Sequence, residues 1–264
     1  MAKDSDDFEK EASASFDQGR YDEALKIYRE GRRVFPTDFN LIMGESLCRF
    51  RMGDYPIVRD ILEGLLSKGP VNPTVLLGLA QTYASLGRRR DAVRTARQFL
   101  KTVDPDPETA KLFGDMFRKH RCPRTSTRCY LQAIRWKNDR ATVWIGLACA
   151  LRDMRHRQLA RRLLEKRLER SPEDVLLLNA LGNLRYEDGE QPRALQLWSR
   201  IPSSKQYDPT TLKRMLKVMK APPGDREERA LRIRLRAANK MIADAASDAG
   251  SILRRFCGTG REGE

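Results

Sequence analysis

Two histidines in 264 residues, and five cysteines with no CxxC and no paired spacing, leave little from which to build a metal centre. Zinc needs converging nitrogen and sulfur ligands, and His120, Cys122, Cys129 and His156 are the sole set that could be gathered. The odd count does not suggest a disulfide framework, so Cys48, Cys122, Cys129, Cys149 and Cys257 read as reduced thiols carried on helices. Aromatic residues make up only 7% of the chain. The longest apolar runs, near Val75 to Ala80 and Val175 to Leu178, fall far short of the about 20 residues that cross a bilayer. The opening MAKDSDDFEKE is acidic and has no apolar centre, the pattern of neither a secretory signal nor an Arg-rich transit peptide. A soluble, cytoplasmic protein with no membrane contact, metal or cofactor is the expectation.

Catalytic machinery is equally scarce. A nucleophile paired with a base, a metal set or a phosphate loop would be needed, and none is written here. Gly258, Gly260 and Gly263 spell GxGxxG, yet they follow a helical pattern at the end of the chain, where no helix follows to receive a phosphate. The expectation is a protein that is not an enzyme.

What the chain does contain is a repeat. From Ala141 to Asp174, Trp144, Leu147, Ala148 and Leu151 lie at spacings of three and four. After a polar turn come Ala160, Leu163, Leu164 and Leu168, and then Pro172. Each run gives one apolar stripe on a helix, so the unit reads as a helical hairpin that needs neighbours to bury its faces. Steps of 34 residues keep the pattern in register. Gly19, Gly53, Gly87 and Gly189 mark the turn, with Arg121 in the fourth unit. A small residue recurs as Ala24, Val58, Ala92, Ser126, Ala160 and Ala194, and a second position as Tyr28, Leu62, Ala96, Tyr130, Leu164 and Trp198. Pro36, Pro70, Pro105 and Pro172 mark unit ends. Arg121 and Ser126 make the fourth unit the weakest match and predict a looser joint there.

These residues resemble the tetratricopeptide repeat, W-x2-L-G-x2-Y … A-x3-F … P, over roughly four-fifths of the chain. The resemblance implies an all-α fold: a right-handed superhelical solenoid of tandem helix-turn-helix repeats with a C-terminal capping helix. Six hairpins are expected over about 5–38, 39–72, 73–106, 107–140, 141–174 and 175–208. The register is lost after Ile201, and Asp208-Pro209 opens a short extra helix over 209–221. A long helix over 225–257 follows, with Leu231, Leu235, Ala238, Ile242, Ala245, Ala249, Ile252 and Phe256 along a heptad seam. It either caps the solenoid or pairs with a second copy as a homodimer. Residues 258–264 read as a disordered tail.

In proteins of this family the first helices line a groove that holds a peptide or a helical segment of another protein. Carried over, the groove positions are Met43, Leu47, Phe50 and Arg51, then Leu77 and Gln81, then Lys111, Asp115 and Arg118. They continue as Ile145, Cys149 and Arg152, then Asn179, Asn183 and Tyr186, and several are expected to pack between adjacent units. The family's clamp for chaperone C-termini needs Lys and Asn together in neighbouring units, and only Asn179 and Asn183 match in kind. The implied function is a protein-binding scaffold.

Charge adds a second feature. Residues 71–140 hold 15 Lys and Arg against 6 Asp and Glu, whereas residues 1–70 hold 11 against 14. The turns of the third to fifth units carry Arg88, Arg89, Arg90, Lys119, Arg121, Arg124, Arg155 and Arg157, which stacking would align along one basic edge. Such an edge favours an acidic partner. Nucleic acid, held through phosphate without sequence preference, is the alternative, although no aromatic residues interleave as a stacking platform.

Overall fold

The structure, a computed structural model, describes residues 3–101, 106–202, 205, 208–219 and 229–237. Every regular element among them is helical. The chain divides into two compact units, 1–139 and 140–264. The first holds α1 (Ser5–Asp17), α2 (Tyr21–Val34), α3 (Phe39–Met52), α4 (Tyr55–Lys68), α5 (Pro73–Ser85), α6 (Arg89–Phe99), α7 (Pro107–Lys119) and α8 (Pro123–Arg135). The second holds α9 (Ala141–Asp153), α10 (Arg157–Arg170), α11 (Val175–Glu187), α12 (Gln191–Ser199) and α13 (Pro209–Met219). Of the long C-terminal helix expected over 225–257, residues 229–237 are described and helical, with Leu231 buried. Its seam from Ala238 onward, and the tail, lie outside the described residues.

Odd-numbered helices start at residues 5, 39, 73, 107, 141, 175 and 209, and even-numbered ones at 21, 55, 89, 123, 157 and 191, a constant step of 34. A capping side chain repeats at the same step. Asp4, Asp38, Asn72, Asp106, Asp174 and Asp208 each accept from backbone N–H groups of the first turn of the helix that follows. Those donors have no partner within the helix, so an Asp or Asn just before it sets where the helix begins. Arg140, before α9, is the exception and makes no side-chain cap. The register therefore does not end at Ile201. Asp208 and α13 fall on the next step, which corrects the reading of α13 as an element outside the repeat.

The turn inside each hairpin is one motif made six times. Gly19, Gly53, Gly87, Arg121, Arg155 and Gly189 all have positive φ, between 55° and 89°. In every case the following N–H donates to a carbonyl five residues back, from Arg20 to Ser15 through Glu190 to Arg185, at 2.8–3.0 Å. This is the Schellman closure, which satisfies orphan carbonyls and needs a left-handed residue. Arginine fills that place twice, at a cost glycine does not bear.

Packing follows the same register. Ala24, Val58, Ala92, Ser126, Ala160 and Ala194 are all buried, as are Tyr28, Leu62, Ala96, Tyr130, Leu164 and Trp198. Burying a large apolar side chain contributes about 1.5–3 kcal/mol, so this second row supplies much of the cohesion. The wide rings fit because a glycine faces them. A Cβ on Gly182 would lie 2.3 Å from Trp198 Nε1, and one on Gly114 would lie 2.7 Å from the Tyr130 ring. The α7/α8 hairpin, expected to be loose, is tied together. The Ser126 hydroxyl donates to the Gly114 carbonyl at 2.8 Å, and the Tyr130 hydroxyl donates to Asp115 at 2.5 Å.

The first unit also buries a charge network. Glu45 on α3 is 4% exposed. It accepts from Arg49 Nε one turn on, at 2.8 Å, and from Arg32 of α2, with Arg29 at 3.8 Å. A buried carboxylate is costly unless paired, and here α2 and α3 are joined through its pairing.

Candidate functional site

In the second unit, α9, α11 and α13 line a cavity of about 300 Å³. Ile145, Ala148, Leu176, Ala180 and Leu184 give it apolar walls, with Leu164 of α10 beneath, while Cys149, Arg152, Asn179, Asn183, Glu187 and Arg214 supply polar edges. Five of the six groove residues predicted in this unit thus meet around one concavity. The sixth, Tyr186, packs against Trp198 with ring centroids 5.9 Å apart and lies under the Arg214 guanidinium at 5.0 Å. The size and lining are those of a site for one or two large side chains with a few orienting polar groups.

α13 shapes the far wall, a contribution that the groove register did not include. Its Thr211 hydroxyl donates to the Asn179 side-chain oxygen at 2.7 Å. Arg214 donates to the Asn183 side-chain oxygen at 2.6 Å and to Glu187 at 3.3 Å. Glu187 also meets Arg152 from α9 at 3.5 Å, and Arg152 turns partly to Asp153 at 3.3 Å. One carboxylate therefore stands between two guanidiniums at the mouth of the cavity. Arg214 sits one repeat beyond the neighbouring helix, at a position the sequence marks only through the Asp208 cap.

The groove residues predicted in the first unit divide between surface and interior. Leu47 is 46% exposed. Arg51 is exposed, with its guanidinium 5.7 Å from the Phe16 ring centroid. Met43 and Phe50 pack against the cluster of Val58, Leu62, Val75 and Leu79 and serve the core. Leu77 and Gln81 are half-buried on α5. Lys111 pairs with Asp115 at 3.1 Å, so two of the three groove positions of α7 are committed to each other and to Tyr130. Arg118 is exposed near the end of α7. A larger cleft of about 570 Å³ lies elsewhere in this unit, between the end of α2, the start of α3, α4 and the start of α5. Phe39, Ile42, Ile61, Leu65 and Val75 line it, and no predicted groove residue does.

The basic residues behave differently in the two units. In the first, Arg88 pairs with Asp91 at 2.8 Å, while Arg89, Arg90, Lys119, Arg121 and Arg124 are exposed and meet no carboxylate among the described residues. Burial, together with the charges of Lys119 and Arg89, holds His120 below the ordinary imidazole range. In the second unit Arg155 is exposed, but Arg157 pairs with Asp188 at 3.2 Å and Arg161 with Glu190 at 2.7 Å. The acidic turn one repeat on thus neutralises part of the basic edge.

Among the described residues no group of three His, Cys, Asp or Glu could hold a metal ion, and no helix is long and apolar enough to cross a membrane.

Stacked hairpins with a shared turn motif and an inter-hairpin cleft define a helical-repeat protein. Family models described as tetratricopeptide repeat match residues 75–111 and 145–209. The chain is a tetratricopeptide-repeat protein. Over 94 residues it is 30% identical to Protein CTR9 homolog of Arabidopsis thaliana, a match that takes in 34% of this chain and 9% of the length of that relative. A tetratricopeptide repeat protein from Parabacteroides merdae superposes with a TM-score of 0.59 at 14% identity, covering 94% of this chain and 98% of that one. Yeast Tom70 superposes with a TM-score of 0.56 at 13% identity, covering 91% of this chain and 48% of that one. These likenesses are of fold.

Proposed function

We propose that this protein is a non-enzymatic scaffold that holds a peptide or helical segment of another protein against the first helices of its repeats. The observation that carries the reading is the α9/α11/α13 cavity, where Ile145, Cys149, Arg152, Asn179 and Asn183 converge from positions one repeat apart. An amphipathic segment would lay its apolar face on Ile145, Leu176 and Ala180 and hydrogen-bond at the polar edge. The exposed cations Arg89, Arg90, Lys119, Arg121 and Arg124 of the first unit add attraction for an acidic partner and speed encounter at low salt. Nucleic acid is the weaker alternative, because Arg152, Arg157 and Arg161 are held by carboxylates of the same unit. The test is selection of displayed 16-residue peptides on the full chain, followed by binding to Ala180→Trp, which fills the cavity. Enrichment of binders that lose affinity for the filled variant supports the reading, provided circular dichroism shows it folded. No enrichment, or binders indifferent to A180W, overturns it.

A further inference from the structure

The polar edge of the α9/α11/α13 cavity is not neutral, and its charge pattern carries information about the partner. Arg152 from α9 and Arg214 from α13 face each other across the mouth, and the only carboxylate that meets both, among the described residues, is Glu187 at the end of α11. Its geometry is poor for an ion pair meant to last. The two contacts are 3.5 and 3.3 Å, each oxygen serves a different guanidinium, and Glu187 is itself exposed. A well-formed arginine–carboxylate pair makes two parallel bonds at about 2.7–2.9 Å. Three elements surround this glutamate: α9 contributes Arg152 and Asp153, α10 contributes Arg157 to its backbone carbonyl, and α13 contributes Arg214. Arg214, by contrast, is aimed with care. Asn183 accepts from it at 2.6 Å and Tyr186 lies beneath it at 5.0 Å, so its guanidinium stays at the mouth whether or not Glu187 is present.

We propose that Glu187 stands in for an acidic side chain of the bound partner, and that the cavity recognises an apolar residue followed within one helical turn by Asp or Glu. The apolar residue enters between Ile145 and Ala180, and the partner carboxylate takes the place between Arg152 and Arg214 while Glu187 swings to solvent. This rests on the peptide-scaffold reading and narrows it to a ligand class, an amphipathic protein segment with an acidic residue next to its anchor. Exchange of one carboxylate for another keeps both arginines paired, so the cost of desolvating them is not incurred anew on binding.

The experiment uses the same displayed peptides and the full chain, with fluorescence anisotropy on labelled peptides that carry the selected consensus. Three variants are compared with the parent: Glu187→Gln, Arg214→Met and Arg152→Met. The expected result is an apolar–acidic pair in the consensus, several-fold tighter binding by E187Q, and about tenfold weaker binding by each arginine variant. Replacing the peptide's acidic residue by its amide should cost the parent about tenfold and cost R214M, which keeps Arg152, clearly less. A merely structural Glu187 would weaken binding when changed, not strengthen it. Binders that lack the acidic residue and ignore all three substitutions would overturn this proposal and leave the scaffold reading standing. Absence of any binder removes both.

Discussion

Glu45→Gln is the substitution whose consequence can be worked furthest from the structure. The glutamine keeps the shape of the side chain and deletes its charge, leaving Arg49, which is 8% exposed, without the carboxylate it donates to at 2.8 Å. Breaking a buried ion pair from one side costs about 3–5 kcal/mol. Arg29 and Arg32 are open enough to turn to water, and Asp54 lies 3.7 Å from Arg49, so the lower end, about 3 kcal/mol, applies. Burial opposes ionisation of Glu45, but the hydrogen bonds from Arg32 and Arg49 outweigh it and hold the carboxyl below its ordinary value. A carboxyl with a lowered folded pKa contributes stability in full above its unfolded pKa, about 4.3, and loses it as pH falls through the folded value. The difference between parent and E45Q should therefore be full at pH 7 and shrink below about pH 4.3. Urea unfolding followed by circular dichroism at both pH values reads it. Hairpins that touch only their neighbours lose stability locally, so amide exchange should quicken in α2 and α3 and hardly change in α9–α13. A loss under about 0.5 kcal/mol at pH 7, or a loss unchanged at pH 4, would refute the reasoning.

Other substitutions test the repeat register. Arg121→Gly and Arg155→Gly relieve left-handed φ values of 55° and 66° and should each raise stability by about 0.5–1 kcal/mol, measured by thermal unfolding; a fall would mean that the turns are not under strain. Gly182→Ala puts a methyl 2.3–2.9 Å from the Trp198 indole and should cost about 1–3 kcal/mol, with a shift in tryptophan fluorescence. Burial pushes the thiols of Cys129 to about 12 and Cys48 to about 11, so both should resist alkylation at pH 8 until urea unfolds the chain, whereas half-buried Cys149 should react in the native state. Fast native labelling of Cys129 would show that the α7/α8 hairpin opens.

The hairpins were legible because their signals recur. A glycine before four of the six second helices, a small residue five positions on and, in all but the third unit, a large one four further on leave little freedom once the 34-residue step is seen, and all of them fall where the step puts them. α13 was legible too, but only in its cap. The run Pro202-Ser203-Ser204 in the sequence hides the continuing register after the short α12, while Asp208 stands 34 residues after Asp174 and does the same work. The groove was harder to read, since a register says which face a residue is on and not what its side chain finds there. Lys111 and Asp115 find each other and Tyr130. Met43 and Phe50 find the core. The basic edge shows the same limit: Arg157 and Asp188 lie 31 residues apart in sequence, and summing charge turn by turn does not reveal that one turn pairs with the next.

Cys149 on the wall of the α9/α11/α13 cavity gives the most direct measurement of where the partner lies. Its alkylation rate, read by mass spectrometry on the full chain with and without a saturating selected peptide, should fall at least about tenfold on binding while exposed control positions react as before. A peptide that binds and leaves that rate unchanged would contradict the assignment of the site.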